Sequence, residues 1–133
     1  MSADLLADLH LRCFRAYPRP WSAAEIEDLL ASRLNFLLHR PNGFLIGRNV
    51  ADEAELLTVA VSPDSRRQGL ARSMLGEFHE TARARGAIEA FLEVASDNEP
   101  ARALYLSEGW AEVGLRRNYY ARGIDAVLMR RAL

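Results

Sequence analysis

Between Val59 and Arg72 the chain reads Val-Ala-Val-Ser-Pro-Asp-Ser-Arg-Arg-Gln-Gly-Leu-Ala-Arg. A run suited to a strand ends there, a polar turn sets Gly69 among arginines, and an amphipathic helix begins. Main-chain N–H groups exposed at such a helix start, with the positive end of the helix dipole behind them, attract phosphate oxygens. Arg66, Arg67, Gln68, Gly69, Leu70, Ala71 and Arg72 are therefore candidate ligands for a phosphorylated molecule. The same residues also suit a solvated loop whose arginines keep it soluble. Neither G-x-G-x-x-G nor G-x-x-x-x-G-K occurs, so a phosphate bound here is not held by a Rossmann or Walker loop.

Other constellations exclude more than they suggest. All 17 basic residues are arginine, and without lysine there is neither Schiff-base chemistry nor a P-loop lysine. His79-Glu80 is followed by Arg83 where a zinc protease would need histidine, and His10 and His39 fall on other segments, so ordinary structural or surface roles are expected of all three. No G-x-S-x-G elbow is present. Cys13 is the only cysteine, which rules out an intrachain disulfide and a thiolate cluster, and no metal is expected. Arg116-Arg117-Asn118-Tyr119-Tyr120 could serve a nucleic acid. A net charge of −1 nevertheless argues against a general nucleic-acid or membrane-surface binder.

The elements that must position these residues fit one domain, 1–133, because 133 residues with 50% hydrophobic and 26% charged content build a single core. No apolar run approaches the ~18 residues of a membrane span, so a soluble cytoplasmic protein is expected. Periodicity predicts a helix over 3–16, ended by Pro18 and Pro20. Ser22 with Glu25 forms a capping box for a helix over 23–33, and Trp21 before the cap can pack on Ile26. Extended segments follow at 34–40 and 44–50, parted by Pro41-Asn42-Gly43, and a second turn near Asp52-Glu53 leads into a strand over 56–61. A helix over 69–85 closed by Gly86, a strand over 88–94, and a helix capped at Asn98 and closed by Gly109 come next. Residues 110–119 and 125–133 read as a final antiparallel pair. Two helices, a meander, two crossover units and a terminal hairpin imply an α/β fold with a mixed sheet and helices on both faces.

Arg66-Arg67-Gln68-Gly69-Leu70-Ala71 resembles the Q/R-x-x-G-x-G/A signature of the GNAT superfamily of N-acetyltransferases. The likeness continues through Pro20-Trp21-Ser22, Leu92-Glu93-Val94, Asn98, Ala103-Leu104-Tyr105, Glu108-Gly109-Trp110 and Arg116-Arg117-Asn118-Tyr119-Tyr120. Together these are similar to the bacterial ribosomal-protein-alanine branch and cover nearly the whole chain. The resemblance implies a three-layer α/β/α fold around a mixed, largely antiparallel sheet, and acetyl-CoA as co-substrate without a metal. It implies that main-chain amides of 66–72 hold the pyrophosphate, that Val59, Ala60 and Val61 pair with the pantetheine arm, and that Asn98 and Tyr105 also touch the donor. Trp21, Arg116, Asn118 and Tyr119 become candidate acceptor contacts, the acceptor being a protein N-terminus, a ribosomal protein by the branch. Three departures stand out. The first strand usual in the superfamily is missing from the pattern, Ala71 stands where many members have glycine, and the loop over 49–55 is short, which would alter the acceptor cleft.

Acyl transfer to an amine needs a base for the ammonium proton and an acid for the departing thiolate. Glu93 lies in an otherwise apolar strand, where partial burial would raise its pKa towards working pH, and it matches the base of the branch. Taken alone it could be a strand-end glutamate facing solvent. Tyr105 matches the branch's general acid, and a phenol of pKa ~10 meets a thiolate of conjugate acid ~8.5 with a slight uphill step. Without the resemblance it is an ordinary helix tyrosine packed on the sheet, and Asn98 is a plain N-cap. A transferase for lysine side chains or small amines, and a silent coenzyme A-binding module that regulates a partner, are the alternatives. Retention of both Glu93 and Tyr105 argues against silence.

Overall fold

Pro41-Asn42 and Ala51-Asp52 each turn the chain in two residues, so three successive strands lie as a meander. In the computed structural model, which describes residues 2–14 and 19–133, these are β1 (Asn35–Arg40), β2 (Gly43–Val50) and β3 (Glu53–Val61). Two helices precede them, α1 (Ala3–Cys13) and α2 (Ala23–Ala31); α3 (Leu70–Ala84), β4 (Glu89–Ala95), α4 (Glu99–Ser107), β5 (Ala111–Ala121) and β6 (Ile124–Ala132) follow. The strand order is β1-β2-β3-β4-β6-β5, antiparallel throughout except for the β3–β4 pair. No strand precedes α1 among the described residues.

Two apolar clusters make three layers. Met74, Leu75 and Phe78 of α3 and Tyr105 of α4 pack one sheet face against Leu45, Leu56, Leu92 and Met129. On the other face, Leu6 and Leu9 of α1 and Ile26 of α2 cover Phe44, Ile46 and Ala60. Gly47 is needed where the sheet meets α3, because a Cβ there would stand 2.5 Å from the Phe36 ring and 2.8 Å from that of Phe78.

Sequence and structure differ mainly at element ends. α1 stops at Cys13 rather than 16, since Phe14 turns extended and lays its ring 4.5 Å from that of His10. The expected continuation to 16 and the Pro18 stop lie outside the described residues. The capping box at Ser22 and Glu25 forms as expected, and Arg19 locks onto Glu25 at 2.6 Å. β3 starts three residues earlier than the apolar run suggests, because Glu53 and Glu55 alternate with buried Ala54 and Leu56. Among the described residues no helix is long and apolar enough to cross a membrane.

Candidate active site

β3 and β4 run side by side only from Glu53 to Glu55, opposite Glu89 to Phe91. Beyond that they part, because β3 bends. Ile46 pairs with Thr58 but Gly47 pairs with Leu56, so Leu57 is an extra residue on β3. Such a bulge increases bend and twist and sends two consecutive side chains to one face. Leu57 packs into the cluster under α1 and α2, and Thr58 Oγ1 meets His10 Nε2 of α1 at 3.2 Å.

The parting leaves main-chain groups of β3 open to the gap. Ser62 N–H donates to Asn42 O at 2.8 Å. In an antiparallel ladder every second residue faces its partner in this way, so Ala60 turns to Phe44 while Val59 and Val61 turn their N–H and C=O groups away. The Val61 carbonyl shows that direction, accepting from Cys13 Sγ and from Arg66 Nε, each at 3.3 Å. Of the three residues expected to pair with a pantetheine arm, Val59 and Val61 therefore offer backbone to the gap and Ala60 does not.

At the end of this edge the chain turns into α3. Arg67 and Gly69 both take positive φ, 65° and 78°, and between them the chain turns from the end of β3 into α3. Gly69 is the N-cap and no side chain caps the helix. Ser73 N–H is already bonded to Gly69 O, so the N–H groups of Leu70, Ala71 and Arg72 are the helix's free donors. A Cβ built on Gly69 would meet nothing within 4 Å, so the space over the turn is open. The residues present thus fit an anionic, extended molecule: donors at one end, a strand edge along the middle. The Arg72 side chain is engaged elsewhere, with Glu108 and Ser107 of α4, which ties the first turn of α3 to α4.

The gap opens into a cleft of about 1080 Å³. Glu93 of β4, Tyr105 and Asn98 of α4, Val59 of β3, and Trp21 and Tyr119 all line it. Glu93 points to the α1–α2 side of the sheet and pairs with Arg116 at 3.3 Å. Tyr105 is 5% exposed, and burial, followed by the neighbouring Tyr120, pushes its phenol above the ordinary range. Its proton is therefore firmly held, and giving it to a thiolate is a steeper step than an unperturbed phenol would face. Asn98 caps α4, its Oδ1 accepting from Ala101 N–H at 3.3 Å.

The β5–β6 hairpin supplies one wall of the cleft. Asn118, with φ of 53°, donates its N–H to Asp125 and accepts from Gly123 N–H at 2.7 Å, so its side chain shapes the hairpin. Arg116 lies over the Tyr119 ring at 5.4 Å. Asn118 and Arg116 do not themselves line the cleft. Tyr120, half-buried beside Tyr119, does. Burial and Glu93 both push its phenol up.

His10, expected to be structural, proves to be the joint of the opposite wall. It is wholly buried, its Nδ1 accepts from Trp21 N–H at 3.1 Å, and its ring stacks on Trp21 at 4.8 Å. That assigns the proton to Nε2, which donates to Thr58 Oγ1. One imidazole thus fixes Trp21 and the bulge of β3 together. Burial lowers its pKa to about 4, so it stays neutral near pH 7. Glu55 also reaches the cleft. The Glu-Ala-Glu-Leu alternation at 53–56 was the signal for it, hidden by reading a turn there.

Free main-chain donors at one end, and a carboxylate with a buried phenol at the other, leave the open edge of β3 between them for an extended acyl carrier. That is the division of labour of an acyltransferase. The chain belongs to the Acetyltransferase (GNAT) family, whose model matches residues 3–110. It is 41% identical over 124 residues to the ribosomal protein bS18-alanine N-acetyltransferase of Escherichia coli strain K12, covering 90% of this chain and 82% of that one. It is 39% identical over 122 residues to the N-alpha-acetyltransferase RimI of Mycobacterium tuberculosis, covering 84% and 75%. The crystal structure of the ribosomal-protein-S18-alanine N-acetyltransferase from Escherichia coli superimposes with a TM-score of 0.85 at 35% identity, over 98% of this chain and 86% of that one.

Proposed function

We propose that this acetyltransferase moves an acetyl group from acetyl-CoA to the N-terminal α-amine of a protein, in the cytoplasm, by direct transfer with no covalent enzyme intermediate and no metal. The observation that carries the reading is the single cleft in which Glu93 and Tyr105 stand beside the open backbone of Val59. When bound, acetyl-CoA supplies the activated acetyl group. The N–H groups of 67–72 would take its phosphates, the Val59 and Val61 edge would pair with its amide-bearing arm like an added strand, and a Val59–Val61 N–H would polarise the thioester carbonyl. Asn98 would touch the same arm.

Glu93 accepts the ammonium proton of the acceptor, which is mostly charged near neutral pH. Tyr105 keeps its phenolic proton through that step and gives it to the departing sulfur. An α-amine of pKa ~7.7 asks about three units less of the base than a lysine amine of ~10.4, which favours an N-terminus over a side chain. Trp21 and Tyr119 would flank the first residues of an extended acceptor, with Arg116 behind Tyr119 and Asn118 setting the hairpin's shape. The named activity of the Escherichia coli relative supports an alanine N-terminus of a ribosomal protein as acceptor, and that of the Mycobacterium tuberculosis relative supports an α-amine. Incubating the protein with acetyl-CoA and a library of short peptides, then mapping each mass gain by fragmentation, tests the reading. Acetyl groups on N-terminal amines are expected, and acetyl groups confined to side chains would overturn it.

A further inference from the structure

The two buried histidines differ in their company. His79 keeps an unpartnered Nε2, whereas both nitrogens of His10 are engaged, and both of its partners line the cleft. One partner is the main chain of Trp21, just ahead of the α2 cap, where neither a strand nor a helix supplies an acceptor. The next N–H, that of Ser22, is taken by Glu25 at 3.2 Å, and Arg19 also bonds to Glu25. Those contacts fasten the segment to α2. The bond to His10 Nδ1 and the near-parallel rings, 12° apart, fasten it to α1 and set the plane of the indole.

Which nitrogen holds the imidazole proton decides whether that bond exists. A main-chain N–H only donates, so Nδ1 must be bare, and a neutral ring then carries its hydrogen on Nε2. Thr58 Oγ1, at 3.2 Å, is the acceptor such a hydrogen needs. The flanking rings of Phe14 and Phe44 offer none. Without the hydroxyl, a buried Nε2–H would stay unpaired, and the tautomer protonated at Nδ1 would set a donor against the donor of Trp21. Thr58 therefore selects the tautomer that holds Trp21.

Thr58 comes from the strand whose edge is open to the donor. It meets α1 at the bulge made by the extra residue Leu57, and beyond that bulge β3 parts from β4 and leaves Val59 free. We propose that His10 is a positioning residue that ties the indole of Trp21 to the donor-bearing strand, through the tautomer that Thr58 sets. Wholly buried, it touches neither substrate. Its effect is to fix the wall against which the amine arrives relative to the edge that carries the thioester. The inference rests on the reading of Trp21 as an acceptor contact.

Thr58→Val tests it, because the change removes the hydroxyl and little volume, on an element other than the one that bears the indole. KM for an alanine-starting peptide should rise about fivefold, the worth of one hydrogen bond, and calorimetric binding of that peptide should weaken alike. Turnover and acetyl-CoA affinity should hold. Imidazole nitrogen NMR signals at neutral pH should show Nδ1 bare in the wild type and protonated in Thr58→Val. His10→Asn places near the Nδ1 position an oxygen that accepts whatever residue 58 is, so adding Thr58→Val to it should raise KM no further. An unchanged peptide KM in Thr58→Val, with Trp21→Ala impaired, would overturn the role of His10 and leave the acceptor reading standing. A bare Nδ1 kept in Thr58→Val would overturn it too, as would a loss of donor affinity as large as the loss for the peptide, the mark of plain packing. An unchanged KM in Trp21→Ala as well would overturn the acceptor reading, and the role of His10 with it. A peptide bound but never acetylated would overturn the function and leave His10 to be judged by binding.

Discussion

The Glu93 carboxylate stands 3.3 Å from the Arg116 guanidinium, reached across β6, and that guanidinium lies over the Tyr119 ring. Glu93 and the hairpin residue Tyr119 are thus one mechanical unit, coupled through Arg116. If Glu93 is the proton acceptor proposed above, Glu93→Gln removes that role while keeping the shape, so kcat should fall ~10²-fold or more with acetyl-CoA affinity nearly unchanged. Arg116→Ala should lower kcat only several-fold and barely move the melting temperature, since an ion pair this exposed adds little stability. Steady-state kinetics with calorimetric donor binding checks both; full activity in Glu93→Gln would remove the assignment.

Tyr105 makes a prediction about pH. Because burial and Tyr120 raise its phenol, the form that can donate persists to higher pH than an ordinary tyrosine's. Activity lost through its deprotonation should therefore be absent up to about pH 10. Tyr105→Phe should lower kcat ~10-fold to 10²-fold at all these pH values, read from a pH–rate series. An alkaline fall below pH 10 that disappears in Tyr105→Phe would contradict the buried-acid account.

Local signals carried most of the fold and the turn that leads from β3 into α3. The capping box at Ser22, the prolines and glycines at turns, and the 3.6 periodicity of 70–82 each act within a few residues, so they survive without tertiary information. The turn through Arg67 and Gly69 is of the same kind. What stayed hidden depends on contacts between distant segments. His10 looked ordinary because its partners, Trp21 and Thr58, lie on other elements. The role of Leu57 exists only once Gly47 opposes Leu56. Tyr119 was singled out over Tyr120 because alternation along β5 does not say which face meets the cleft, and Asn118 bends the strand just before them. Asn118 and Arg116 support the wall from behind, a distinction that spacing alone does not make.

Gly69 tests the donor end. Its φ of 78° is closed to proline, whose ring fixes φ near −65°. Gly69→Pro should distort the turn that presents the free N–H groups of α3. Acetyl-CoA at a hundredfold excess over Kd should raise the wild-type melting temperature on the order of 8 °C, and this variant's hardly at all. A full shift in Gly69→Pro would place the phosphates elsewhere.

Two buried histidines set an acid limit on stability. Burial lowers both His10 and His79 from 6.5 to about 4. The unfolded chain therefore takes up protons before the folded one does, so their stabilising share is complete above about pH 6.5 and is lost as pH falls towards 4. Urea midpoints should decline over that window in the wild type and less steeply in His79→Gln. A flat midpoint from pH 7 to 4.5 would contradict the neutral, buried state of both rings.

The most direct measurement compares acceptors at equal concentration: a peptide beginning with alanine, its N-terminally blocked counterpart containing lysine, and spermidine, each assayed for coenzyme A release. The α-amine needs less of Glu93 and presents a chain that Trp21 and Tyr119 can flank, so the alanine peptide should be favoured at least tenfold in kcat/KM. A clear preference for the blocked lysine peptide or for spermidine would contradict N-terminal acetylation and leave only the family assignment in place.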